Sequence, residues 1–270
     1  MFARSTDPYE FAAIEGNLRE TLKFFSLGND GGCLAESADL LMISSGINYG
    51  VFNTVLLKTL VASEAQLIDA ILRGRDFFSP RGERWSFWVC HDLLIPQLQR
   101  RLRRIMESNG LRFLSEPPGL IAHRLLPPRR FLPGLDIEPV LTAPTRAAFA
   151  GILSTTFDLP HGICRDVYGP ERSWRGGYRG WIGSVGGEPI VSTACVVAAG
   201  VAGIYSVGTM PNWRRRGYAE QLMRQVLETI RLETGIEQTI LQSTPEGIRV
   251  YQRMGYRRAT QFSIYLTEPA

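Results

Sequence analysis

Apolar residues recur along this chain at two spacings, every third or fourth position or every second, and the switches between them outline its elements. Asp7-Pro8-Tyr9-Glu10 reads as a helix start, with Asp as N-cap, Pro in the first turn and Glu three residues beyond the cap. Phe11, Ile14, Leu18, Leu22 and Phe25 follow at helical spacing, and Gly28 supplies a stop. The pattern then predicts a short buried strand over 40–43, helices over 51–60 and 63–73, and an aromatic-rich strand over 84–90. A helix runs from Pro96 to the stop at Asn109-Gly110, with Leu98, Leu102 and Ile105 facing inward and its arginines in solvent. Two more strands are expected over 111–114 and 120–125.

Pro127-Pro128-Arg129-Arg130-Phe131-Leu132-Pro133-Gly134 interrupts both periods, because its prolines can continue neither a helix nor an interior strand. We place the domain boundary there, with an N-terminal α/β domain over 1–127, a linker over 128–134 and a C-terminal domain over 135–270. Beyond it come a strand over 137–141, a helix over 144–157 and a loop-rich stretch over 159–179. Strands over 181–185 and 190–197 are joined by the hairpin signal Gly186-Gly187, and a third strand covers 202–207. A helix from about 217 to 233 stops at Gly235, and a strand over 238–242, a helix over 245–254 and a strand over 262–266 follow. This order predicts an α/β (α+β) protein, with a mixed central sheet flanked by helices.

Composition narrows the picture. With 44% hydrophobic and 21% charged residues over 270 positions, a disordered or collagen-like chain is excluded. No window approaches the ~18 consecutive apolar residues of a membrane-spanning helix, and the opening residues carry no apolar signal-peptide core, so the cytoplasm is the expected location. Cys33, Cys90, Cys164 and Cys195 are scattered, as are His91, His123 and His161, so no metal site is expected. Of the 30 basic residues only Lys23 and Lys58 are lysine, and the net charge is +4. Nucleic-acid binding is not expected from this skew, whereas guanidinium groups do suit anionic ligands.

The chemistry concentrates in 205–219. There a buried strand ending near Val207 passes through Gly208-Thr209-Met210-Pro211-Asn212-Trp213 into Arg214-Arg215-Arg216-Gly217-Tyr218-Ala219, where an amphipathic helix begins. A helix start exposes amides without internal partners and the positive end of the peptide dipole. Gly217 and Ala219 keep side chains small where those amides would meet a ligand, and three arginines add charge. Together they suit a phosphate.

Here the sequence resembles the GCN5-related N-acetyltransferases (GNAT family). Arg214-x-x-Gly217-x-Ala219 is similar to that family's pyrophosphate-binding signature, the element order from Ile137 to Leu266 agrees, and so does Leu241-Gln242-Ser243-Thr244 followed by Val250-Tyr251-Gln252-Arg253-Met254-Gly255-Tyr256. The resemblance covers roughly the C-terminal half and implies acetyl-CoA or another acyl-CoA as cosubstrate, with no metal. It also implies that the backbone of Val207, Gly208 and Thr209 pairs with the pantetheine arm, between strands that part at Val207 and Ser243. Amides from Arg215 through Arg216, Gly217, Tyr218 and Ala219 to Glu220 would hold the diphosphate, beside Arg214. The Val207 amide would face the thioester carbonyl, and Tyr251 would stand near the departing thiolate. Among candidates for a base, His161 sits in the predicted loop after Leu159-Pro160, with Asp158, Asp166 and Glu171 nearby in sequence, and Tyr205, on the strand beside the thioester, would act through water.

The implied reaction is transfer of an acetyl group to a primary amine of a small molecule or peptide by direct attack in a ternary complex. The alternative from another class is a non-catalytic acetyl-CoA sensor or partner-binding protein that keeps the fold. Neither a membrane nor a nucleic acid is an expected partner, and a homodimer is compatible with the sequence. The N-terminal half carries a weak echo of the C-terminal half: a strand over 85–90, the helix from Pro96, then Gly110-Leu111 and more strands. Nothing before Pro127 repeats the phosphate cradle, so that half reads as a degenerate GNAT-like domain that braces the other.

Overall fold

The computed structural model describes residues 7–129 and 131–267. Asp7 accepts from the Tyr9 amide at 2.9 Å and opens helix α1 (Pro8–Leu22), as its capping sequence requires. Strands β1 (Gly32–Glu36), β2 (Leu40–Ser45) and β3 (Thr54–Leu57) then form an antiparallel trio. Helix α2 (Glu64–Phe78) crosses to strand β4 (Ser86–Cys90), which runs parallel to β3. Helix α3 (Pro96–Ser108) buries Leu98, Leu102, Ile105 and Met106, and leads to β5 (Leu111–Ser115) and β6 (Pro118–Ala122).

After the proline-rich segment the order repeats behind a short strand and two helices: β7 (Asp136–Pro139), α4 (Ala143–Phe157) and α5 (His161–Tyr168). The second antiparallel trio is β8 (Arg179–Val185), β9 (Glu188–Ala198) and β10 (Val201–Thr209). Helix α6 (Tyr218–Thr234), parallel strand β11 (Thr239–Gln242), helix α7 (Ile248–Met254) and β12 (Arg257–Thr267) complete it. Each half therefore runs three antiparallel strands, helix, parallel strand, helix and returning strand.

The halves share one mixed sheet, in the order β1-β2-β3-β4-β12-β6-β11-β10-β9-β8-β7. β6, which precedes the proline-rich segment, lies between β11 and β12, pairing Gln242 with Gly119 and Thr239 with Ala122. β12 in turn reaches back: residues 257–261 pair with β6, while Phe262–Leu266 lie along β4 and Ile264–Thr267 also along β5. One core cluster joins the first half to α1 and β12, including Ile14, Leu18, Phe87, Phe262 and Tyr265, all at 2% exposure or less. A second, between α6, α7 and the sheet, contains Leu222, Met223, Val226, Ile230, Leu241 and Met254.

Three expectations need correction. Residues 51–60 are not a helix: they form a short 3-10 turn (Gly50–Phe52) and β3, whose four residues Thr54-Val55-Leu56-Leu57 are all buried. A fully buried strand lacks the two-residue alternation that would distinguish it from a helix. The stretch 159–179 is not mainly loop, because it contains α5 and a 3-10 segment (Glu171–Arg175) packed by Tyr168, Trp174 and Tyr178 around Phe149. The last strand is 11 residues long where the pattern indicated five over 262–266, since its first five residues, Arg257-Arg258-Ala259-Thr260-Gln261, are polar or small and carry no apolar alternation.

Candidate active site

The site lies where parallel strands β10 and β11 separate. They pair only at Ala202 with Thr239 and Gly203 with Ile240, and no pair follows. The β9 register jumps from Tyr205 to Gly208, which takes Ser206 and Val207 out of the ladder. Ser206 adopts φ of +50°, a costly left-handed conformation for a residue with a side chain. Its surroundings hold it: the Ser192 hydroxyl donates to the Ser206 carbonyl at 3.0 Å, and the Ser206 hydroxyl lies 2.6 Å from that of Tyr178.

From Thr209 the chain turns through Pro211–Trp213 into α6. Arg214 folds back and donates from Nε to the Thr209 carbonyl at 3.0 Å, bracing the loop. Arg216 stacks 5.3 Å over Trp213, whose ring meets Tyr218 edge-on. Arg215 and Gly217 both take left-handed φ, +62° and +99°, so the backbone doubles back twice just ahead of the helix. No side chain caps the start of α6, and its first backbone bond runs from the Gln221 amide to the Gly217 carbonyl at 2.9 Å. The amides from Arg215 to Glu220 are thus outside the helical ladder. Glu220 would oppose an anion there, but its buried carboxylate turns away and receives Arg224 at 3.0 and 2.8 Å.

Tyr251 sits on α7 with its ring against Gly247, where an added Cβ would meet both that ring at 2.8 Å and Ser243 Oγ at 3.5 Å. The same glycine therefore brings Tyr251 next to the end of β11. Burial pushes its phenol up to about 12. Ser243 itself is buried, and its hydroxyl donates to the Thr244 carbonyl. His161 is the first residue of α5 and exposed, not part of a loop, and no described contact ties it to Val207 or Tyr251.

Comparison with the first half shows what the cleft requires. There the strands corresponding to β10 and β11 are β3 and β4, and they do not part: Val61 donates to the Leu93 carbonyl at 2.8 Å and accepts from the Ile95 amide at 3.3 Å. The following helix is also closed, because Ser63 caps the Gln66 amide at 3.2 Å while Gln66 Oε1 takes the Ala62 amide at 2.8 Å. That half has neither parted strands nor free amides at the corresponding place.

Two features escaped the sequence reading: the contribution of α1, which packs against β9, β10, β6 and β12 beside the cleft, and the ties that join Tyr205 to Asn17 and Gln242. An asparagine three residues after Ile14 and next to Leu18, on the apolar side of the helical pattern, was the available signal.

A mixed sheet opened between two parallel strands, with an uncapped, arginine-flanked helix start at its edge, is suited to a phosphate-bearing ligand. Residues 148–256 match the acetyltransferase (GNAT) family, and the C-terminal half of the chain belongs to it. Solved structures extend the likeness of fold to both halves. A GCN5-related N-acetyltransferase from Kribbella flavida is 18% identical, covers 98% of each chain and superposes with a TM-score of 0.70. A functionally unknown conserved protein from Staphylococcus epidermidis gives 0.62 at 12% identity, over 88% of this chain and 95% of that one. A GCN5-related N-acetyltransferase from Sphaerobacter thermophilus gives 0.53 at 15% identity, over 98% and 94%. No curated protein sequence matches the chain.

Proposed function

We propose that this protein transfers an acetyl group from acetyl-CoA to a primary amine, with the C-terminal half as the catalytic unit and the N-terminal half as its brace. The observation that carries this reading is the free start of α6, with left-handed Arg215 and Gly217, placed at the edge of the parted strands. That arrangement fits a diphosphate, held by the amides of Arg215 to Glu220. When bound, acetyl-CoA supplies an activated thioester.

The chain's own groups account for the rest. The backbone of Val207, Gly208 and Thr209 lies beyond the last pair with β11 and is free on that side to hold an extended arm, while Gly208 and Thr209 stay paired with β9. The Val207 amide is the donor for the thioester carbonyl oxygen as it gathers charge, a role worth ~3–4 kcal/mol in known oxyanion sites. Tyr251 faces the sulfur. Complete proton transfer from a phenol near 12 to a thiolate whose conjugate acid is near ~8.5 would be uphill by roughly 5 kcal/mol, so Tyr251 donates a hydrogen bond and keeps its proton through the step. We expect Tyr251→Phe to lower turnover about tenfold with little change in acetyl-CoA affinity, measured by steady-state kinetics beside calorimetry. Unchanged turnover would remove Tyr251 from the mechanism. His161, exposed and without a described partner, is retained only as a candidate base.

Calorimetric titration with acetyl-CoA tests the division of labour. One molecule per chain is expected, because the first half lacks both parts of the cradle, and two would contradict the brace. Release of CoA thiol in the presence of an amine panel supports transfer. Tight binding with no release from any amine would favour a sensor.

A further inference from the structure

The Val207 amide belongs to the peptide unit that begins at the Ser206 carbonyl, and that carbonyl is tied down. A trans peptide is planar, so its carbonyl and its N–H point in opposite directions. The Ser206 carbonyl accepts from the hydroxyl of Ser192, which is completely buried on β9. The Val207 N–H of the same unit therefore points away from β9, on the side where β11 has parted from β10. Ser206 reaches this arrangement at φ of +50°, against the preference of a residue with a side chain. Such an angle persists only where its surroundings over-determine it.

The second tie is to the Ser206 side chain. Its hydroxyl lies 2.6 Å from that of Tyr178, and Tyr168 reaches it as well. Both tyrosines are buried, and burial raises both phenols, so neither gives up its proton. Tyr178 in turn has a neighbour from the other half of the chain. Phe24, in the 3-10 turn Lys23–Ser26 that follows α1, stacks on it with ring centres 4.1 Å apart and planes at 28°. The same buried ring lies 5.8 Å from Tyr168 at 26° and meets Trp174 edge-on at 5.4 Å.

We propose that Ser192 and Tyr178 are positioning residues for the Val207 amide, and that Phe24 extends this control to the N-terminal half. Ser192 sets the direction of the peptide unit. Tyr178 holds Ser206 at the angle that lets the unit turn, and Phe24 keeps the phenol in place. Without the Tyr178 hydroxyl, Ser206 relaxes toward negative φ and the Val207 N–H swings out of line with the thioester oxygen. The inference rests on the transferase reading, and it gives the brace a definite task at the site.

The test pairs Tyr178→Phe with Ser206→Gly, because glycine takes φ of +50° at little steric cost and no longer needs the tether. Two signals are read on the full chain. One is the infrared carbonyl stretch of isotope-labelled acetyl-CoA bound to the protein, which falls when the oxygen receives a hydrogen bond. The other is CoA thiol release with ethylamine, benzylamine and glycinamide as acceptors. Tyr178→Phe should raise the stretch and lower turnover about tenfold, with half-saturation by acetyl-CoA unchanged. In the Ser206→Gly background the same substitution should leave the stretch in place and cost about twofold or less. Phe24→Leu should act in the same direction and be relieved in the same way, and Ser192→Ala should raise the stretch independently. Equal effects of Tyr178→Phe in the two backgrounds, or a stretch that neither Tyr178→Phe nor Ser192→Ala moves, overturn the positioning role and leave transfer intact. Bound acetyl-CoA with no thiol release from any acceptor sinks the transferase reading, while the stretch still decides where the amide points.

Discussion

Gly217→Ala is expected to weaken coenzyme A binding about a hundredfold while lowering thermal stability only slightly. At φ of +99° an L-residue strains the backbone by about 1–2 kcal/mol, and the simplest relief is to rotate toward ordinary helical angles. That rotation redirects the amides at the start of α6, and losing two hydrogen bonds to a charged group, each worth roughly 1.5–3 kcal/mol, accounts for the expected drop. Calorimetry with coenzyme A reads the effect. Affinity equal to the wild type would mean that the diphosphate is held elsewhere, and the proposed function would lose its foundation.

The second large effect concerns stability. Glu15, on α1, is 4% exposed. Burial pushes its carboxyl up to about 7, while Arg19 and Lys58 pull it down by less. Arg19 lies 3.0 Å away. Between the ordinary value of 4.5 and about 7 the folded chain keeps a proton here that the unfolded chain gives up. This group's contribution is therefore most favourable at the acid end and declines as pH rises through that window, by roughly 3 kcal/mol in total. Glu15→Gln keeps the neutral shape and removes the titration. We expect it to raise the melting temperature at pH 8 by roughly 5–10 °C over the wild type, with the gain shrinking toward pH 5. Parallel pH dependences in the two proteins would show that Glu15 is ionised in the folded state.

How much of this was legible depended on whether a signal was local. Caps, turns and amphipathic faces are written within a few residues, so Asp7, Gly186-Gly187 and the run Leu222, Met223, Val226 marked their elements correctly. The run from Arg214 to Ala219 marked the turn into α6 for the same reason, because left-handed Arg215 and Gly217 lie within one turn of backbone. β3 misled because a strand buried on both faces has no alternation, and β12 was cut short because its first five residues are polar or small; their tie to α1, through Arg257 and Glu10, spans more than 230 positions of chain. The polar group around Tyr205 was invisible for a related reason. Asn17, Gly119, Gly203 and Gln242 acquire meaning only when β6 and α1 are brought to the second half, and no spacing rule joins residues that the sheet alone makes neighbours.

The crossing of β6 and β12 also bears on how the protein can be handled. Each half borrows the strand that completes it, like two hands with laced fingers, so separating the halves at Pro127-Pro128 would strip β11 of its flanking partner and leave β4 with a bare edge. The N-terminal half, although it has no parted strands of its own at the corresponding place, is built into the very sheet that frames the other half's opening.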